Sequence, residues 1–305
     1  MNTYKKLTVL LCSLALLSAC TGQAASQPTQ PSQVLAAETF LADIAQNVAG
    51  DRLKVDALMP AGLDPHSYTP TPQDVVRIAG SKLLIVNGAH FEEWLQETLD
   101  NAGGQRSVVE ASAGLTSRTP SSNEILDPDH AGDPHFWLDP NNVIRYAENI
   151  RDGLIALDPP GREVYTQNAA AYIQQLHALD SWIVTQVAQI PPERRLLVTN
   201  HESFGYFADR YGFTILGTVI PSTSSEASPS ALQMAALIDL IKARSVPAIF
   251  LETGANPRLA EQVAAETGAR VVTDLNTHSI TVTGGTSDTY IEMMKHNVEL
   301  LLILK

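Results

Sequence analysis

The sequence predicts an α/β protein, two small parallel-sheet lobes joined by one long rigid helix. Three observations carry that reading. Short apolar runs alternate with amphipathic stretches between Val34 and Glu110, a long helical pattern occupies residues 162–189, and the alternation resumes from Leu196 to Thr273. Strands separated by helices imply parallel pairing through right-handed crossovers. A chain of 305 residues with 44% hydrophobic content is long enough for two substantial cores.

Taken in order, Val34–Ala37 reads as a strand, Thr39–Val48 as a helix and Leu53–Met59 as a strand. Thr71–Ala79 reads as a helix with Pro72 at an early position, Lys82–Asn87 as a strand and Phe91–Leu99 as a helix. Residues 111–134 are loop-like. Val143, Ile144, Ala147, Ile150 and Leu154 then recur at helical spacing. In the long pattern, Ala169, Tyr172, Ile173, Leu176, Leu179, Ile183 and Val187 do the same until Pro191 and Pro192 stop it. At 1.5 Å per residue such a helix extends about 40 Å, longer than one small lobe, which makes it a spine. Leu196–Thr199, Phe213–Val219, Ala248–Leu251 and Arg270–Thr273 read as strands; Ser203–Tyr211, Ser230–Arg244, Pro257–Thr267 and Tyr290–Leu302 read as helices. The domains implied are 34–158, an N-terminal lobe; 159–192, the linking helix; and 193–305, a C-terminal lobe.

The first residues read as a targeting segment, with Lys5 and Lys6 ahead of an apolar run, Leu7–Leu17, too short for a comfortable membrane span. Leu17-Ser18-Ala19-Cys20 resembles a bacterial lipobox, which implies a signal peptide over 1–19 and a lipid on Cys20. Residues 20–33 are then a tether rich in Ser, Thr, Gln and Pro. Loss of residues 1–19 removes two lysines and no acid, taking the net charge from −13 to −15. So acidic a surface argues against nucleic acid and favours attraction of cations. The two cysteines are Cys12 and Cys20, so the folded body offers only nitrogen and oxygen ligands and no disulfide.

Two Asp-Pro-His triplets stand out, Asp64-Pro65-His66 and Asp133-Pro134-His135, the second followed by Phe136-Trp137-Leu138-Asp139-Pro140. Ligands in open α/β sheets collect just past the carboxyl ends of strands. His66, His135, His201 and Asp274 fit that location, two from each lobe. Separations of 66 to 73 residues mean that only the tertiary fold could assemble them. Three imidazoles and one carboxylate suit a borderline cation, so Zn²⁺ leads, with Mn²⁺ and Fe²⁺ behind.

These segments, with Asn200-His201-Glu202-Ser203-Phe204-Gly205-Tyr206-Phe207 and Thr273-Asp274-Leu275, resemble the signature segments of the zinc/manganese-receptor family of ABC-transporter solute-binding lipoproteins. The match extends over essentially the whole mature chain. The resemblance implies a C-clamp with metal held in the interlobe cleft by His66, His135, His201 and Asp274. It implies a monomeric extracytoplasmic receptor, tethered to the membrane through Cys20, that delivers its ion to an ABC permease and performs no catalysis. Manganese-type relatives tend to carry a carboxylate at the third position; His201 there favours zinc. Relatives with zinc specificity often carry a long histidine-rich insertion before the second ligand, whereas Glu124–Gly132 holds only His130 with Asp127 and Asp129. His130, His90 and His278 are accessory candidates. His177 and His296 read as solvated helix positions, and Trp137 as packing. Asp64 and Asp133 either form turns or orient neighbouring groups. A zinc hydrolase is the competing class, but His-Glu-x-x-His fails at Gly205 and no P-loop or nucleophile elbow is present. A surface adhesin is a third class, for which no sequence feature speaks directly.

Overall fold

The computed structural model describes residues 33–118, 132–281, 285 and 287–305. The expected signal peptide, the Cys20 lipidation site and His130 lie outside these residues. Two four-stranded parallel sheets are present. The first pairs β1 (Val34–Ala36), β2 (Val55–Ala57), β3 (Leu83–Val86) and β4 (Ser107–Glu110) in the order β2-β1-β3-β4. The second pairs β5 (Leu196–Thr199), β6 (Thr214–Thr218), β7 (Ala248–Glu252) and β8 (Arg270–Leu275) in the order β6-β5-β7-β8. Strand order therefore reverses between β1 and β3 in one sheet and between β5 and β7 in the other. Those reversals open crevices at the strands' carboxyl ends.

Helices α1 (Thr39–Ala49), α2 (Pro72–Gly80) and α3 (Leu95–Ala102) belong to the first sheet; α6 (Gly205–Tyr211), α7 (Ala231–Arg244) and α8 (Arg258–Thr267) belong to the second. Between them lie α4 (Pro140–Leu157) and α5 (Arg162–Val187), and α9 (Tyr290–Leu301) closes the chain. Local chemistry sets the starts. Thr71 and Asp74 form a reciprocal capping box on α2 with Pro72 in its first turn, and Ser230 with Gln233 does the same for α7. Asp139 accepts from the Asn141 N–H to start α4, again just before a proline.

The spine expected over 162–189 is α5, 26 residues and about 39 Å long. It buries Tyr165, Ala169, Tyr172, Leu176, Leu179, Ile183 and Val187 along one face. These residues join Val34, Phe40 and Ile85 of the first lobe to Leu197, Phe207 and Phe250 of the second in one continuous core. The sheets are thus built on one helix. No described helix is long and apolar enough to cross a membrane.

Several element bounds shift by one or two residues, and three differences bear on the sheets and the site. β4 is an additional strand, mostly exposed, whose Ser-Val-Val-Glu sequence has too short an apolar run to signal itself. α3 starts at Leu95, four residues after the expected Phe91, because Gly88, Ala89 and His90 all adopt positive φ and turn the chain first. β8 runs two residues further than expected, to Leu275, which pairs with Glu252 of β7 after a shift of register beyond Phe250.

Candidate metal centre

The two Asp-Pro-His triplets fold alike. Asp64 Oδ1 accepts the His66 N–H at 3.0 Å, and Asp133 Oδ1 accepts the His135 N–H at 3.0 Å. Each aspartate closes a turn over its proline and projects the histidine that follows. Asp133 also orients its ligand: the same Oδ1 lies 2.9 Å from His135 Nδ1, leaving Nε2 to face the cleft. Asp133 is held in turn by Ser117, whose hydroxyl accepts the Asp133 N–H, and by Tyr206 of the other lobe, whose hydroxyl donates to its carbonyl at 2.8 Å.

His201 comes two residues past β5. Its Nδ1 lies 2.8 Å from Glu252 Oε1, at the end of β7 on the far side of the crevice. Asn200 Nδ2 and the Ser203 hydroxyl also donate to Glu252. Burial raises the Glu252 pKa, but the His201 imidazole, with His278 and Asn200, outweighs it and holds the carboxyl down at about 2. Burial lowers His201, yet the Glu252 carboxylate prevails and its pKa is raised. His135, fully buried, is pushed well below the ordinary imidazole range by burial and by the neighbouring rings of His201, His66 and His278.

His66 Nε2 lies 3.4 Å from His135 Nε2, and His135 Nε2 lies 3.3 Å from His201 Nε2. The fourth member is His278, 7% exposed, whose Nε2 is buried without a hydrogen-bond partner. One nitrogen from each of His66, His135, His201 and His278 falls within 4.8 Å of the others. Two nitrogens bound tetrahedrally at 2.0–2.1 Å stand about 3.35 Å apart, matching the separations of 3.4 and 3.3 Å. The widest separation leaves under about 1.5 Å for the cluster to close around an ion.

Asp274 is not brought to this cluster. Because β8 continues to Leu275, Asp274 sits within the strand with an exposed side chain, and its carbonyl accepts from His296 Nε2 at 2.9 Å. The loop beyond the strand, Asn276-Thr277-His278, supplies an imidazole instead. His296 is therefore tied to the chain, while His177 is exposed as expected. His90 is exposed on the positive-φ turn and stands outside the cluster. Glu202 lines a groove beside Leu216 and Leu237, away from the imidazoles.

Sequence reasoning gave no role to Glu252, and Trp137 does more than pack. Its indole N–H donates to the Thr277 carbonyl at 2.7 Å, and its own carbonyl accepts from the Tyr290 hydroxyl at 2.6 Å. The residue two past His135 thus holds the residue just before His278. Gly62 N–H donates to Ser279 Oγ and Ile280 N–H to Thr39 Oγ1, so first-lobe groups position the His278 loop. A cavity of about 240 Å³, lined by Asp64, Ser67, Glu252, Asn276, Thr277 and His278, opens beside the cluster.

Residues 34–302 match the model of the family described as "Zinc-uptake complex component A periplasmic". The chain is 35% identical over 274 residues to the manganese-binding lipoprotein MntA of Halalkalibacterium halodurans, covering 90% of this chain and 88% of that protein. It is 32% identical over 276 residues to the iron-binding protein YfeA of Yersinia pestis, covering 90% and 86%. The periplasmic zinc-binding protein TroA of Treponema pallidum superposes with a TM-score of 0.80 at 30% identity, over 89% of this chain and 98% of that one.

Proposed function

The chain belongs to the zinc-uptake component A family of metal ABC-transporter substrate-binding proteins, and from that premise we propose that it captures Zn²⁺ between the imidazoles of His66, His135, His201 and His278. The observation that carries the reading is the spacing of the ring nitrogens, 3.3 and 3.4 Å, which suits tetrahedral zinc. The donor set favours the same ion. Four imidazole nitrogens, joined in the cluster by no carboxylate among the described residues, match a borderline cation better than manganese, which prefers more oxygen.

Capture proceeds by replacing the ion's water shell with the four imidazoles. The Asp133 carboxylate holds His135, and Glu252 holds His201, each at Nδ1, so Nε2 is presented to the ion and gains basicity. Any proton on these rings must leave before zinc binds, so acid favours release. The ligands come from both lobes of a single chain, which supports action as a monomer. Members of this family are extracytoplasmic solute-binding proteins that work with a membrane permease and are not enzymes. For this chain the corresponding reading is delivery of zinc to an ABC permease, without catalysis, from a lipid anchor on Cys20.

A manganese or iron receptor is the second reading, favoured by the names of MntA and YfeA. Elemental analysis of protein purified without added metal, followed by competition titration with Zn²⁺, Mn²⁺ and Fe²⁺, separates the two. Stoichiometric zinc and loss of zinc binding in His135→Ala are expected. Manganese recovered in its place, with tighter manganese binding, overturns the zinc assignment.

A further inference from the structure

The turn after β3 holds a strained backbone directly beside the imidazole cluster. Gly88, Ala89 and His90 have φ of 81°, 53° and 63°. Ala89 and His90 are side chains in a region that L-residues avoid, and both are exposed, so their own packing does not hold them there. Phe91 follows at 0% exposure, its ring 5.0 Å from that of His66 and 5.7 Å from that of His135. The turn therefore seats an apolar wall of the site.

What holds the turn is a carboxyl. Glu92 accepts the Asn87 N–H at 2.5 Å and the Gly88 N–H at 3.1 Å. Asn87 in turn donates from Nδ2 to the Pro134 carbonyl at 3.1 Å, in the loop that presents His135, and accepts from the Tyr146 hydroxyl. Glu92 is 6% exposed, and its neighbour is a second carboxyl, Glu38, 1% exposed. Neither Glu38 oxygen meets a donor among the described residues. Two neighbouring buried carboxyls, with no basic side chain acting on either among the described residues, are compatible only if one carries a proton. Glu92 already accepts two N–H groups, so the proton resides on Glu38 and is donated to Glu92. The pair lies at the crevice between the ends of β1 and β3, the counterpart of the β5–β7 crevice where Glu252 holds His201.

We propose that Glu38 and Glu92 form a buried single-proton carboxyl pair whose role is positioning: it locks the Gly88–His90 turn and thereby sets Phe91 and the Pro134–His135 loop against the metal ligands. The inference rests on the imidazole cluster being the metal site. Titratable groups facing the pair are each other and, from α4, the Tyr146 hydroxyl, whose pKa is raised by burial and then by both carboxylates. Burial raises Glu92 to about 7, and burial together with Glu92 raises Glu38 well above the ordinary range. Folded-state pKa values above those of the unfolded chain mean that the folded protein binds more protons. The pair's contribution is complete below the ordinary carboxyl range and declines as pH rises through about 7.

The test uses the whole protein and Zn²⁺ as probe. Glu38→Gln keeps a donor toward Glu92 and should retain zinc affinity within about threefold, whereas Glu92→Gln turns its own N–H groups on the Asn87 and Gly88 donors and should weaken zinc binding by at least tenfold. Hydrogen exchange of the amides from Asn87 to Phe91 should quicken in Glu92→Gln. In the metal-free protein, the melting temperature of the wild type should fall relative to Glu38→Gln as pH rises from about 5 to about 8, a dependence that simple packing would not produce. Parallel pH profiles, or wild-type zinc affinity in Glu92→Gln, overturn the proposal. If Glu92→Gln does not fold, the Glu38→Gln profile decides alone. If the wild type binds no zinc, the metal reading fails, while the pH profiles and amide exchange still decide the pair.

Discussion

Replacing His278 with alanine separates the fourth imidazole of the cluster from the carboxylate expected of the sequence. Zinc held by four protein ligands contributes about 10–16 kcal/mol, so an equal share per imidazole is about 2.5–4 kcal/mol. At 1.4 kcal/mol per tenfold, that share corresponds to a loss of roughly sixty- to seven-hundred-fold in affinity. His278→Ala should fall near the lower end, because water can occupy part of the vacated position. The His278 Nε2 bonds to no other group among the described residues, so no hydrogen bond of that nitrogen is lost with the ring. Asp274→Ala should change affinity less than about twofold, since the side chain is exposed and the contact to His296 is made by the backbone carbonyl. Competition titration against a chromophoric zinc chelator reads both variants on one scale. Near-wild-type binding by His278→Ala, or a large loss in Asp274→Ala, would refute the four-imidazole site and restore the carboxylate as ligand.

Three further outcomes are expected. Glu252→Gln removes the charge that holds His201 at Nδ1 and should weaken zinc binding by about tenfold in the same titration, with the fold retained by circular dichroism. Trp137→Phe keeps an aromatic ring but leaves the Thr277 carbonyl, buried at 2% exposure, without its indole donor. It should cost about 1–3 kcal/mol, read as a melting temperature several degrees lower, and an unchanged melting curve would show that the bond contributes nothing. Asp43 accepts the Tyr290 N–H at the start of α9, and burial raises its pKa to about 6. A raised folded-state pKa stabilises below the ordinary carboxyl range and is lost as pH rises through about 6. Asp43→Asn should therefore gain thermal stability relative to wild type between about pH 4.5 and pH 7, and a constant offset between the two curves would sink the assignment.

What was legible in the sequence follows from which signals are local. The spine was legible because seven buried side chains of α5 recur at helical spacing with prolines beyond its end. The first three imidazoles of the cluster were legible because each lies in a motif of its own, and two Asp-Pro-His triplets fold into the same turn. The fourth, His278, read only as an accessory candidate, since its place depends on where β8 stops, and that is decided by pairing with β7. The later end of β8 leaves Asp274 within the strand and brings His278 of the following loop to the cluster. Glu252 and the Glu38–Glu92 pair carried no sequence signal at all, because acids at strand ends acquire meaning only from the crevice they face. The two lobes then use those crevices differently. In the second, a carboxylate grips a ligand directly; in the first, a carboxyl pair grips the backbone that carries the wall behind the ligands. An asymmetry of that kind gives the first lobe a preformed face and leaves the His278 loop, held by Trp137, Gly62 and Thr39, as the part of the second lobe most tightly coupled to it.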